Sequence, residues 1–392
     1  MKNVLVTDSN SRKSLCVVRS LGKQGYNVIA TSNYNVDISR SSKYCSAFRK
    51  ITDYNIDEEQ FIKELLKVIK DYSIEIIIPM EDDTLELILK HQEKFKHIKS
   101  LLPSYEAFRL ARDKGKTVES AMLYNVPIPK TYNISNNDNL ARRSEGFRYP
   151  IILKPRISSG SRGITIVESS NEFLKKYDEV NRLCPNPVVQ EFLQGNFKKI
   201  QVLVIADQNS NIKASCTYRG IREFPVSGGP VTFWKTASYP EIEKTTFEFL
   251  EKVKWTGFAE AEYMFNVDTG EFYLIEINPR FSANISLAVS LGIDFPLYYT
   301  KLSLGEKIQG KINEEFNSFG QWLIPGDLLN FIFNKKRFKQ EYGYFFKKPK
   351  KLTHAIFSKS DIKPFFTNLI SLILNLVTNI QDLIVKLGAN TK

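Results

Sequence analysis

The residues of this chain best suited to chemistry lie between positions 258 and 280, in FAEAEYMFNVDTGEFYLIEINPR. Two apolar-rich runs flank Asp268-Thr269-Gly270, a three-residue connection with glycine where a type I turn plus bulge needs φ > 0. A β-hairpin centred on Thr269 follows, and counting outward sets Val267 opposite Glu271, Met264 opposite Leu274 and Glu262 opposite Glu276. Glu276, Asn278 and Arg280 then point to one face, because alternate residues of a strand do so. Facing carboxylates repel unless a cation lies between them. Glu262, Glu276 and Asn278 are hard oxygen ligands, suited to Mg²⁺ shared with phosphate oxygens rather than to Zn²⁺. A lone Glu pair reads as a solvated sheet face. The added Asn278 and Arg280 favour a metal–phosphate site, which a one-residue register slip would undo.

Other elements must bring phosphate to that face. Residues 149–155 (YPIILKP) and 163–167 (GITIV) read as strands, joined by Arg156-Ile157-Ser158-Ser159-Gly160-Ser161-Arg162. A strand follows this loop where a Walker P-loop would have a helix, and GxxxxGK[ST] is absent. The physics is similar: small residues let backbone N–H groups approach phosphate, and Lys154 supplies charge from a strand end. Ahead of it, strands over 2–7, 27–31 and 74–79 alternate with helices over 12–24, 61–72 and 84–93, which is the pattern of a parallel α/β domain. No GxGxxG follows its first strand, so nucleotide binding there is not expected. Glu81-Asp82-Asp83 falls at the carboxyl end of a strand, where open α/β sheets place ligands. The same cluster also reads as acids at a helix N-terminus.

Composition narrows the class. The chain has 392 residues, enough for two or three domains, and 42% apolar with 25% charged residues is globular rather than disordered. Cys16, Cys45, Cys184 and Cys216 are far apart with no CxxC, so neither a zinc site nor a disulfide framework is indicated. The start, MKNVLVTDSN, lacks the apolar stretch of a signal peptide, which makes the reducing cytoplasm the expected compartment. With only three histidines, none near the hairpin, histidine-based nucleophilic catalysis is not expected.

Taken together, Lys114 in ARDKGKT, Lys154 in YPIILKP, the SSGSRG loop, QEFL at 190–193 and the EAEY…IEINPR hairpin resemble the ATP-grasp superfamily. The nearest likeness is to carbamoyl-phosphate-synthase-like carboxylate–amine ligases, over about residues 1 to 310. The resemblance implies that Lys114 and Lys154 bind ATP phosphates and that the loop with Ser159, Gly160, Ser161 and Gly163 closes over them. It implies that Gln190, Glu191, Phe192 and Leu193 form a hinge reading adenine. It also gives Glu262, Glu276 and Asn278 one or two Mg²⁺ (Mn²⁺ is an alternative) and sets Arg280 against the reacting carboxylate or acyl phosphate. Asn196-Phe197-Lys198 stands where many relatives carry an acid for ribose, and Phe281-Ser282-Ala283-Asn284 does not resemble the biotin carboxylase continuation. That departure argues against bicarbonate and biotin. Arg219 and Arg222, before Ser227-Gly228-Gly229, look like the mobile segment that covers the acceptor in similar ligases. By themselves they are an ordinary loop.

The implied fold class is α/β and α+β. A pre-ATP-grasp α/β domain (1–103) would precede a two-subdomain ATP-grasp domain (104–315, with 130–195 clamping nucleotide) and a helical C-terminal extension (316–392). The net charge of +12 is concentrated in 335–351, where eight Lys or Arg meet one Glu. Beyond it, Ile362, Phe366, Leu369, Ile373, Leu376, Ile380, Leu383 and Leu387 form a heptad seam. Three destinations compete for that seam: the protein's own core, a second copy in a homodimer, and a peripheral anionic-membrane contact through 335–387 on the inner face of the membrane. The expected function is an ATP-dependent carboxylate–amine ligase acting on small molecules, with nucleic acid not expected as a ligand. The alternative is a nucleotide-binding relic or a membrane-associated adaptor without turnover.

Overall fold

In the computed structural model, the described residues are 2–134, 139–158, 160, 162–226, 228–314, 316–344 and 349–389, with the backbone alone described over 377–389. Ser159 and Ser161, and part of the 335–351 segment, lie outside the described residues.

Four short strands open the chain: β1 (Asn3–Val6), β2 (Asn27–Ser32), β3 (Ala47–Lys50) and β4 (Ile76–Ile78). They form a parallel sheet in the order β3-β2-β1-β4. Val4, Leu5, Val28, Ile29 and Ile76 are fully buried, as continuous apolar runs require when helices cover both faces. Ser11 caps the helix Arg12–Lys23 by accepting from the Ser14 N–H, and Gly25 just beyond it sits at φ +83°. The edge strand β3 was not expected, since AFRK has no apolar alternation to announce it.

A second, antiparallel sheet contains β5 (Thr131–Tyr132), β6 (Ile151–Lys154), β7 (Thr165–Val167) and β8 (Val188–Glu191), in the order β5-β8-β6-β7. Phe147, Phe173 and Tyr177 pack it against the helix Ser170–Leu183. The third sheet holds β9 (Phe197–Ala206), β10 (Ile212–Glu223), β11 (Val231–Thr236), β12 (Gly257–Asn266), β13 (Phe272–Asn278), β14 (Lys311–Ile312), β15 (Phe319–Gln321) and β16 (Leu352–His354). Its order is β13-β12-β9-β10-β11-β15-β16, with β14 paired to β10. Ile242, Phe249 and Leu250 of the helix Pro240–Lys252 pack with Val202, Ala259 and Ala261 of β9 and β12. In another cluster Val17, Val18 and Leu21 of the first helix join Leu203, Ile205 and Phe258 of this sheet in one continuous core.

The hairpin register differs from simple counting in an instructive way. Near the tip Phe265 pairs with Phe272 and Met264 with Tyr273, not Leu274; Asn266 rather than Val267 meets Glu271, with Asn266 N–H donating to the Glu271 carbonyl at 2.8 Å. A bulge between Glu262 and Tyr263, with Ile275 as the extra residue on β13, then restores the count, and Glu262 does lie opposite Glu276. Gly270 takes φ +77°, as the turn requires.

The segment after 316 is more than a helical appendage. It supplies β15 and β16 to the large sheet, and Asp327 and Asp361 fasten it to the body. Asp361 accepts from Arg19 Nε at 2.8 Å, Ser42 Oγ at 2.6 Å and the Lys43 N–H at 3.0 Å. The long helix Lys363–Ala389 starts from that anchor. Packing of its seam on the protein's own core is contradicted over the described side chains, because Phe366, Ile370, Ile373 and Leu376 are each more than half exposed.

Candidate functional site

Alternation along β12 puts Glu260 and Glu262 on one face, and their partners on β13 are Asn278 and Glu276. The amide Nδ2 of Asn278 lies 3.2 Å from Glu262 Oε1, 3.4 Å from Glu260 Oε2 and 3.5 Å from Glu276 Oε1. From the other side β9 brings Gln201 opposite Glu262, and its Nε2 donates to Glu260 Oε1 at 3.0 Å. Ser282 Oγ donates to the same oxygen at 2.5 Å, and Asn284 donates to Gln201 Oε1 at 2.9 Å. Burial, and then repulsion from Glu276 and Glu260, raises the Glu262 pKa to about 8, and burial raises that of Glu260. The site therefore crowds carboxylates in a low-dielectric place, where nearby cations offset their repulsion only in part.

Two lysines stand beside this face. Lys114, buried at the start of the helix Lys114–Leu123, sends Nζ to the Ser158 carbonyl at 2.8 Å and to Glu276 Oε2 at 3.4 Å. Lys154, at the end of β6 and buried, donates to Gln190 Oε1 at 2.8 Å. Burial lowers its pKa to about 8, with Glu276 opposing and Lys114 adding to the shift. Gly160 and Gly163 hold φ +63° and +74°, and a Cβ on Gly163 would fall 2.9 Å from Pro155 Cγ. The loop between β6 and β7 thus needs glycine at its return. Arg156 ties the loop to Asp113 at 2.8 Å, over Gly115.

The hinge residues fall on and just after β8. Gln190 is buried between Lys154 and Thr131, donating to Thr131 Oγ1 at 2.9 Å, so its side chain fixes the lysine. The N–H groups of Glu191 and Phe192 donate to the carbonyls of Lys130 and Pro150. Arg280 reaches the first domain: its Nε is 2.9 Å from Asp82 Oδ1 and 3.7 Å from Glu81 Oε2. Lys13, itself buried, also pairs with Glu81 at 2.8 Å. The acidic cluster at 81–83 starts the helix Asp82–Lys90, as the helix-terminus reading has it, and it also holds Arg280 at the edge of the metal-binding candidate.

Arg222 lies away from an exposed loop surface, inside the protein. Its Nε and Nη2 each lie 2.7 Å from the two oxygens of buried Asp327, and Nη1 donates to the Tyr342 carbonyl at 2.9 Å. The guanidinium is stacked 4.0 Å from the Phe233 ring centre and 4.2 Å from that of Tyr344. With Nε, Nη1 and Nη2 each donating inside the protein and the side chain buried, it fastens the C-terminal segment to β10 and β11.

Glu262, Glu276 and Asn278 make a short ligand set. Among the described residues no group of three or more His, Cys, Asp or Glu is spaced to hold a metal ion. Mg²⁺ is commonly held by one or two carboxylates completed by phosphate and water, so this set fits a cation that arrives with a triphosphate.

Residues 113–311 match the family model of the carbamoyl-phosphate synthase L chain, ATP binding domain. The chain belongs to this family. Its structure has the ATP-grasp fold. It superposes on the MgADP-bound biotin carboxylase domain dimer of Hydrogenobacter thermophilus 2-oxoglutarate carboxylase with a TM-score of 0.67, at 18% identity over 81% of this chain and 73% of that one. The ADP complex of Staphylococcus aureus N5-carboxyaminoimidazole synthetase gives a TM-score of 0.63 at 15% identity, covering 79% of each chain. Acetyl-CoA carboxylase of Saccharomyces cerevisiae is 24% identical over 170 residues, which is 42% of this chain but only 8% of that enzyme.

Three further residues, Glu260, Gln201 and Lys13, adjoin the candidate site. Glu260 was findable, because it sits two positions before Glu262 on the same strand. Gln201 and Lys13 were not, since only tertiary structure brings them in.

Proposed function

We propose that this protein is an ATP-dependent carboxylate–amine ligase that makes an amide through an acyl phosphate. The observation that carries the reading is Lys114, whose ammonium joins the β6–β7 loop to Glu276 and so ties the phosphate-binding candidate to the carboxylate face. Lys114 and Lys154 would neutralise the triphosphate, while Glu262, Glu276 and Asn278 would hold Mg²⁺. That cation, when bound, supplies charge neutralisation between phosphate oxygens. The substrate carboxylate attacks the γ-phosphorus, the bond to the β-phosphate oxygen breaks, and ADP leaves. An amine then attacks the acyl carbon, the carbon–oxygen bond to phosphate breaks, and phosphate leaves as the amine loses a proton. No protein nucleophile is needed; positioning and cationic side chains supply what the chemistry asks.

A cavity of about 290 Å³ opens at the carboxyl ends of β1–β4, lined by Asp8, Ser32, Asp53, Tyr54, Glu81 and Asp83 among others, with Arg162 at its rim. Arg112 also lines it, paired with Asp83 at 2.7 Å, so the cavity carries charge of both signs. It adjoins Arg280 through Glu81 and Asp82. The reading is tested by ADP release across a panel of carboxylic acids, bicarbonate included, crossed with amines. Turnover requiring one member of each class is expected. ADP release that needs neither, or that persists in Glu276→Gln, would contradict it.

A further inference from the structure

The basic end of the chain is built differently from the rest of the surface. After the helix Leu328–Phe333 the chain turns through Asn334 into a short turn at Arg337–Lys339. Ile332, Phe333 and Phe338 stand 52%, 64% and 84% exposed. Lys335, Lys336 and Lys339 are exposed between and beside them. From 328 to 340 the sequence LLNFIFNKKRFKQ contains no acid, and the next one, Glu341, is paired with Arg219 at 2.6 Å. Apolar tips ringed by unopposed cations are costly in water, and a monomer's surface seldom keeps them without a use.

The long helix carries a second exposed apolar face. It begins where Asn368 Nδ2 donates to the Ile324 carbonyl at 3.3 Å and where Phe365, like Trp322, packs against Leu15, Ile38 and Ile356. Past that point Phe366, Ile370, Ile373 and Leu376 face outward. The polar positions of 364–381 are Thr, Asn, Ser and Gln, with no charge. Among the described residues no helix is long and apolar enough to cross a membrane.

We propose that Ile332, Phe333 and Phe338, with Lys335, Lys336 and Lys339 around them, dock this protein on an anionic lipid surface, and that the helix Lys363–Ala389 lies in the same interface. Charge complementarity selects this occupant. A second copy meeting the patch by two-fold symmetry would set lysines against lysines. Nucleic acid would match the cations but leave Ile332 and the aliphatic helix face without partners. Lipid matches both: headgroup charge for the lysines, acyl boundary for the apolar tips.

The test is co-sedimentation of the full chain with vesicles of phosphatidylcholine alone or mixed with phosphatidylserine, at low and high salt. Binding to the anionic vesicles is expected to exceed that to neutral ones by about tenfold and to fall with salt, as surface attraction does. Two variants are run beside it: Phe333→Ser with Phe338→Ser, and Lys335→Glu with Lys336→Glu and Lys339→Glu. Both are expected to lose vesicle binding while unfolding at the wild-type temperature, since the altered side chains are exposed. A third, Ile370→Asn with Ile373→Asn, is expected to weaken it through the helix. Equal binding to neutral vesicles, or undiminished binding by the first two variants, would overturn the proposal. So would a dimer, or a complex with RNA, that these variants abolish in a chain that does not bind vesicles.

Discussion

At the site, each side chain's role follows from which charges surround it. Glu276→Gln removes one charge from the carboxylate face without changing volume, and ADP release is expected to fall by roughly a hundredfold or more. Near-normal release with the Mg²⁺ requirement intact would remove Glu276 from the metal face. Lys154 has a pKa near 8 in the free protein, and a triphosphate favours its charged form. Nucleotide binding is therefore expected to take up protons around that pH and to weaken as pH rises through it. Calorimetry in buffers of different ionisation enthalpy reads this directly; Lys154→Ala should weaken ATP binding and abolish the uptake. Glu262 behaves in the opposite sense. Its carboxyl is raised from 4.5 to about 8, so the stability associated with its protonated form is full below the ordinary carboxylate pKa and lost as pH rises toward 8. Without metal the unfolding temperature should drop over that window, and Mg²⁺ with a non-hydrolysable ATP analogue should offset the drop. Glu262→Gln should flatten the dependence. An identical pH profile in that variant would show that Glu262 is not the titrating group. That Glu262, Glu276 and Asn278 share a face was legible, because type and strand period agree; Gln201 and Lys13, which distant elements bring in beside Glu260 and Glu81, left no mark in the sequence near them.

At the level of elements, the hairpin shows how counting reaches a correct pairing by an incomplete route. The turn is one residue longer than the sequence suggests, and the Ile275 bulge returns the strands to register where the carboxylates lie. A bulge of this kind has no sequence signature, whereas Gly270 has a plain one. The burial of Arg222 was illegible for a related reason: its partner Asp327 lies 105 positions away, so the sequence around it displayed only an exposed-looking arginine. Because the pair is fully buried and bidentate, removing one member strands the other. Arg222→Ala is expected to destabilise the fold by about 3–5 kcal/mol, read as a lower unfolding midpoint. Whatever folded protein remains should keep its KM for substrates, and a large rise in KM with unchanged stability would restore Arg222 to the acceptor site. That β1, β2 and β4 run parallel was legible from strand–helix alternation. The strands β15 and β16 were not, because three-residue pieces inside a basic, aromatic stretch carry no period.

Across the whole molecule, the two halves of the chemistry are joined by charge. The segment after β4 contributes Glu81 and Asp82 to Arg280, which follows on the strand carrying Glu276 and Asn278. Burial disfavours the Arg280 cation, but Asp82, Glu81 and the nearby glutamates more than offset it and raise its pKa. Asp82→Asn is expected to loosen the domain contact and raise the KM of the carboxylate substrate more than that of ATP. Equal effects on both would point to a general loss of structure. Through an acyl phosphate, the substrate's own oxygen is expected to become part of the phosphate released. This is tested by labelling the carboxylate oxygens of the acid found in the ADP-release panel with heavy oxygen and analysing the phosphate by mass spectrometry. One labelled oxygen in each phosphate released is the expected result. Unlabelled phosphate, with both labelled oxygens retained in the product, would contradict the acyl phosphate and with it this account of the site.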